Sequence, residues 1–186
     1  MNFNRYITEA EFSELAAFIR REGVVRRFAR GERLSGQGLR SHRCGLVVQG
    51  AFRYVYADAA GEEHVVGYAF AGEFVGDYIS MCVDAPSQVT IGAMCGAEAL
   101  LVPGERLEPF YRTDAACERL GRRLAEHMLA EVYERLLDRY AASPQQRYEA
   151  LTERCPDVLQ LVPLRELASY LGVRPETLSR IRRRVR

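Results

Sequence analysis

No stretch of this chain approaches the roughly 18 uninterrupted apolar residues of a membrane helix, which excludes a span of that kind. The opening MNFNRYITEAEF carries no apolar signal core, so export is not expected and the cytoplasm is the expected location. Lysine is missing altogether: all 26 basic residues are arginine. Arginine is not neutralised near physiological pH and pairs bidentately with phosphate; a genome rich in G and C produces the same bias. The five cysteines, at 44, 82, 95, 117 and 155, form no C-x-x-C pair, and none stands beside one of the three histidines. That excludes metal-ligand spacing and leaves scattered thiols in a reducing compartment. There is no nucleophile–base arrangement, no Walker-type phosphate loop and no metal motif. An enzyme is therefore not expected, and neither a catalytic residue nor a metal ligand is named.

What is present suffices for one large domain, or a medium domain with a small one: 186 residues, 48% of them apolar. The net charge of +1 hides an asymmetry, because from Pro144 onward nine Arg face five acids. A basic end on a slightly acidic body fits a nucleic-acid-binding end attached to something else.

Thr8-Glu9-Ala10-Glu11 reads as a capping box opening an amphipathic helix with Phe12, Leu15, Ala16, Phe18 and Ile19 apolar, ending near Gly23. From Val24 to about Pro103, short apolar runs alternate with glycine-rich turns, as in RGERLSGQG and LVVQGAFRYVYADAAGEEHVVGYAF. Strands of five to eight residues with two-fold alternation predict an antiparallel barrel or sandwich. Pro103-Gly104 ends that region. A long helix follows from Thr113 to about Tyr140, apolar on more than one face. Such a helix packs on its own barrel and on a second copy of itself. Gly121 within it either admits a partner helix or is simply tolerated. Ser143-Pro144-Gln145-Gln146 restarts a helix, with Ser as cap and Pro at the first position, and marks a hinge.

The last 25 residues, VPLRELASYLGVRPETLSRIRRRVR, carry the sharpest signal. Leu164, Leu167, Ala168 and Leu171 share one helical face. Pro163 sits where a missing N–H costs nothing, and Gly172 supplies a left-handed turn. Arg174-Pro175-Glu176 opens a second helix with Leu178 and Ile181 inward. Its solvent face holds Glu176, Thr177, Ser179, Arg180 and Arg183, with Arg174 at its start, all placed to reach base edges and phosphates in a major groove.

The order of short helix, glycine-punctuated β region, long helix and helix-turn-helix resembles the Crp/Fnr family of bacterial transcription regulators over nearly the whole chain. The carrying segments are RGERLSGQG, LVVQGAFRYVY, GEFVGDY, SPQQRYEAL and LASYLGVRPETLSRIRRR; the tail is similar to the short members common in Bacteroidetes-type genomes. The resemblance implies an α+β protein. It has an N-terminal antiparallel β-roll (a double-stranded β-helix) with flanking helices, then a long dimerisation helix. Residues 1–141 form the effector domain and 142–186 the DNA-binding domain. The expected partners are double-stranded DNA, a second copy through Leu120, Leu124 and Met128, RNA polymerase and a small-molecule effector of unknown identity. The alternative is a metabolite-binding sensor whose helix-turn-helix contacts protein. Within the family's phosphate cassette, Gly76 matches the glycine whose backbone approaches the cyclic phosphate. Asp77 stands in place of a ribose-gripping Glu, and Ser87 in place of the phosphate-pairing Arg. Losing that guanidinium removes a charge-assisted bond, so cAMP and cGMP are expected to bind more weakly than about 100 μM. The implied pocket, open to a less anionic ligand, is Gly76, Asp77, Ser87, Gln88, Leu124 and Met128. Pro175 replaces a base-reading Arg of the catabolite-activator branch, and no Cys precedes Cys44 to build an iron–sulfur cluster near the N-terminus.

Overall fold

Apolar residues three and four apart make the first helix, α1 (Ser13–Glu22), which buries Leu15, Ala16, Phe18 and Ile19. It ends at Gly23, whose amide donates to the Ile19 carbonyl at 2.8 Å. A Cβ there would lie 2.3 Å from that oxygen, so only glycine fits. The computed structural model describes residues 3, 4, 7, 10–40 and 42–185. Thr8 and Glu9 of the expected capping box lie outside the described residues; the helix itself begins later than expected, with Phe12 at its cap and no side-chain bond.

Among the described residues eight antiparallel strands follow: β1 (Val24–Phe28), β2 (Arg33–Ser35), β3 (Arg43–Gln49), β4 (Ala51–Ala57), β5 (Glu63–Phe70), β6 (Phe74–Gly76), β7 (Thr90–Ala93) and β8 (Ala97–Pro103). They form two four-stranded sheets in the orders β1-β8-β3-β6 and β2-β7-β4-β5. Inward side chains of both sheets, among them Phe28, Val47, Phe52, Val75, Ile91 and Leu101, share one apolar core. The β4–β5 ladder shifts register between Tyr54↔Gly67 and Val55↔Val65, so Val66 has no partner across it. The carbonyl of this bulged residue accepts from the Arg135 guanidinium instead.

A short helix, α2 (Tyr78–Cys82), fills the β6–β7 connection, and α3 (Leu107–Tyr111) follows β8. The long helix α4 (Ala115–Ala141) starts at Asp114, whose carboxylate accepts from the amides of Ala116 and Cys117, each at 2.8 Å. Then come α5 (Pro144–Arg154), α6 (Val158–Leu161), α7 (Leu164–Leu171) and α8 (Pro175–Val185). The capping box before α5 has both of its bonds: the Ser143 amide donates to Gln146 Oε1 at 2.8 Å, and the Gln146 amide to Ser143 Oγ at 3.3 Å.

The expected hinge at Ser143 is a true break between helices, but packing crosses it. Phe3, Ala51, Val65, Tyr68 and Phe70 of the β-roll side share one core with Tyr148, Leu151, Val158, Leu167 and Leu178. The first helix of the helix-turn-helix, α7, lies on the β4–β5 sheet. Ser169 Oγ accepts from the Val65 amide at 2.9 Å, and Arg53 pairs with Glu166 at 2.6 Å. The Arg135 guanidinium lies over the Tyr170 ring, 4.9 Å from its centroid. Arg147 ties two helix ends together, donating to the Ala142 carbonyl at 2.6 Å and the Leu171 carbonyl at 3.2 Å.

Candidate nucleic-acid interface and effector cavity

The α7–α8 turn is built on Gly172, at φ 66° and ψ 38°, the left-handed conformation expected of it. The Arg139 guanidinium rests on this glycine, 3.0 Å from where a Cβ would stand. Ala168 and Leu178 are fully buried at the helix crossing, with Leu167, Leu171 and Ile181 around them. Burying Leu178 and Ile181 turns the opposite side of α8 outward. Arg174, Glu176, Arg180 and Arg183 are exposed, and Thr177 and Ser179 half-buried. Glu176, Arg180 and Arg183 lie four and three residues apart, on one face. The single polar contact among them is long, Arg180 to Thr177 Oγ1 at 3.5 Å. These guanidinium groups are presented, not consumed by internal ion pairs.

The phosphate cassette is closed on itself. Asp77 caps α2, accepting from the Ser80 amide at 3.3 Å and the Ser80 hydroxyl at 2.7 Å. The Ser87 hydroxyl donates to Asp77 Oδ2 at 2.6 Å, and the Gln88 amide approaches the same oxygen at 3.2 Å. The Gly76 amide, the group expected at a cyclic phosphate, donates to the Tyr54 hydroxyl at 3.1 Å. Gly76 itself has φ 151°, and a Cβ on it would come within 2.7 Å of Cys44 Cβ. Asp77, Ser87 and Gln88 were expected to line an effector pocket; none lines the cavity described next, while Asp77 lines a larger open cleft that shares Gly76, Tyr78 and Met128 with it. The physical reason is mutual satisfaction: the Ser87 hydroxyl and the Gln88 amide both turn to the Asp77 carboxylate.

The cavity lies between the β-roll, α1, α3 and α4 and measures about 220 Å³. Gly76, Leu124 and Met128 line it, as expected. Sequence reasoning missed Cys44, Tyr54, Tyr78 and Tyr111 in its wall, and Glu131 and Arg135 beside them. Burial pushes the Cys44 thiol and the Tyr78 phenol each up to about 12, and raises Tyr54 and Tyr111 as well. Near neutral pH these groups carry no charge. Gly121, read as either admitting a partner helix or simply tolerated, is the seat of the Tyr111 ring, whose atoms lie 3.0–3.3 Å from where its Cβ would be.

Leu120, Leu124 and Met128 were expected at a dimer seam. Leu124 is only 6% exposed, and all three pack inward with Phe12, Leu15, Ile19 and Leu107. Leu124, closing its own domain's core, has little surface left for a partner, while Leu120 and Met128 are half-buried. The apolar surface α4 does present is elsewhere: Leu129, Val132, Tyr133, Leu136, Leu137 and Tyr140 are exposed, Tyr140 at 85%.

At the β4–β5 turn, Asp58, Glu62 and His64 bring ligand-type atoms within 4.8 Å of one another, a cluster not flagged by sequence spacing. Its bonds are those of a turn lock. Asp58 accepts from the Ala60 and Glu62 amides, each at 2.9 Å, and lies 3.0 Å from His64 Nε2. His64 and these amides hold the Asp58 carboxyl below its usual range.

Residues 25–114 match the family described as Cyclic nucleotide-binding domain. Among characterised protein sequences no relative was found. Solved structures are similar over most of the chain. FixK2 from Bradyrhizobium japonicum superposes with a TM-score of 0.74 at 18% identity, covering 88% of this chain and 84% of its own. The regulator CLP of Xanthomonas campestris gives 0.64 at 18% identity, covering 93% and 90%. The Thermus thermophilus catabolite activator protein gives 0.57 at 19%, covering 93% and 81%. No helix among the described residues is long and apolar enough to cross a membrane. A β-roll, a long helix and a terminal helix-turn-helix in this order give the chain the fold of the Crp/Fnr transcription regulators, and residues 25–114 are similar to the cyclic nucleotide-binding domain family.

Proposed function

We propose that this chain is a homodimeric, DNA-binding transcription regulator of the Crp/Fnr type, with an effector domain at residues 1–141 and a DNA-binding domain at 142–186. The observation that carries this reading is the outer face of α8. Arg174, Arg180 and Arg183 are exposed there beside Glu176, while Leu178 and Ile181 anchor the helix from behind. A helix held this way enters a major groove with its N-terminal residues at base edges. Arg180 reads a base, while Arg174 and Arg183 contact phosphate. A dimer places two such helices on half-sites about 34 Å apart. The second copy docks on the exposed α4 stripe from Leu129 to Tyr140, since a lone chain rarely leaves so continuous an apolar surface in water.

Arg180→Ala separates base reading from phosphate contact. On a duplex selected by the parent protein it is expected to lose about 1–3 kcal/mol and to discriminate less at one base position in each half-site. A variant as tight and as selective as the parent would overturn the role given to α8.

A further inference from the structure

We propose that the segment before α1, through Phe3 and Asn4, is a strap that pins the helix-turn-helix to the β-roll and so fixes where α8 stands. The inference rests on reading α8 as the DNA-contacting helix and adds what sets its position.

The socket of the strap on the β-roll is Glu73. The turn from β5 to β6 holds this residue in place: its amide donates to the Phe70 carbonyl, and its carbonyl accepts from the Val47 amide, each at 2.9 Å. Its side chain is 4% exposed. The Phe3 and Asn4 amides both donate to Glu73 Oε1, and Asn4 Nδ2 donates to Oε2 at 3.0 Å and to the Tyr68 carbonyl at 3.2 Å. The Phe70 amide also donates to Oε2, at 3.1 Å. A buried carboxyl group is tolerated where donors surround it, and all of these donors except the Phe70 amide belong to the strap.

Phe3 carries the strap across to the DNA-binding side. Its ring is wholly buried. The ring centroid lies 5.3 Å from that of Tyr68 and 5.7 Å from that of Phe70, both edge-on, on the β5 side. On the other side it lies 5.2 Å from the Tyr170 ring of α7, and the Arg154 guanidinium of α5 stands 5.3 Å from it. One side chain therefore touches both domains while its backbone is bonded to the β-roll. The direct tie of α7 to the sheet is less complete: Glu166 pairs with Arg53 through Oε1, and its Oε2 is buried with no hydrogen-bond partner. Without the Phe3 ring a void opens at the domain boundary, and the groups lining a void lose their contacts on that side. With the ring in place α8 moves only with the β-roll. In a dimer the β-roll then sets the distance between the two α8 helices, and with it the spacing of the half-sites.

Hydrogen exchange on the full-length protein tests the strap without DNA. The Val65 amide bonds across the boundary to Ser169 Oγ at 2.9 Å, whereas the Ala93 amide bonds within the β-roll to the Glu32 carbonyl at 2.9 Å. Phe3→Ala is expected to speed exchange at Val65 about tenfold and to leave Ala93 at the parent's rate. Unchanged exchange at Val65 would overturn the proposal. So would equal acceleration at both amides, which would make Phe3 an ordinary core residue. If Phe3→Ala does not fold, Asn4→Ala keeps the ring and removes the bonds of Nδ2; it should move Val65 alone, in the same direction, about threefold. Duplex binding then tests the consequence. One base pair added between half-sites displaces one of them by about 3.4 Å and turns it by about 35°. The parent should lose about 10²-fold in affinity on that duplex, because its two helices no longer engage together, and Phe3→Ala about tenfold. Equal losses would overturn the positioning role. Failure of every duplex to bind would overturn the reading of α8 itself, and the exchange rates at Val65 and Ala93 would still decide the strap.

Discussion

Leu136→Glu is expected to turn the proposed dimer into a monomer. Leu129, Val132, Leu136 and Tyr140 recur at intervals of three and four along α4 and line one exposed face with Tyr133 and Leu137. A two-fold interface on this stripe is self-complementary, so each substitution enters the seam twice. Burying an unpaired carboxylate costs several kcal/mol, and each 1.4 kcal/mol is a decade in Kd, so two or more decades of dimer affinity should be lost. Operator affinity should fall with it, because one recognition helix no longer tethers the other, an effect of roughly 10²-fold or more. Leu124→Glu is the informative contrast. That residue is 6% exposed inside its own domain, so its substitution should destabilise the fold rather than split the dimer alone. Sedimentation at micromolar concentration distinguishes the two. A folded, dimeric Leu136→Glu would remove the stripe from the interface.

Leu178→Ala is expected to lower the stability of the whole chain, not of its last 45 residues alone. Leu178 is fully buried at the α7–α8 crossing, and truncating such a side chain costs about 2–5 kcal/mol. For a chain of this size that corresponds to a fall of about 4–20 °C in Tm. The core containing Leu178 continues into Phe3, Tyr68 and Phe70 on the β-roll side, and it is reinforced by the Arg53–Glu166 pair and by Ser169 on the Val65 amide. A shared core of this extent should melt as one unit. Calorimetry should show a single transition displaced as a whole. Two transitions, of which only one moves, would mean that α7 does not stay on the sheet.

What could be read from the residues follows from how local each signal is. The bounds of α7, the left-handed Gly172 and the start of α8 rest on neighbours within four residues, and periodicity with Pro and Gly placement located them. The Ser143–Gln146 box is equally local. The missing Arg of the cassette was legible as one changed residue. The bond from Ser87 to Asp77 was not, because it joins residues ten apart across α2 and its following loop. Helix α4 shows the limit of periodicity. Its two apolar stripes have the same spacing, and only the positions of α1 and α3 decide that Leu120, Leu124 and Met128 turn inward. Docking of α7 on β5 leaves no local trace, since Ser169 and Val65 stand 104 residues apart. Of the cavity-lining groups, Tyr111 alone had an indirect sign: a glycine within a long helix asks what leans on it.

The central claim, that α8 delivers these arginines to DNA, is tested most directly by the salt dependence of duplex binding. With the full-length dimer and a selected operator, log Kobs is plotted against log[salt]. Each neutralised phosphate contributes about −0.9 to the slope. If Arg174 and Arg183 of both protomers contact phosphate, the slope is expected to be near −4 or steeper, with saturable binding at low salt. A flat dependence, or no saturable binding to any duplex, would contradict the account and turn the helix-turn-helix into a surface for protein.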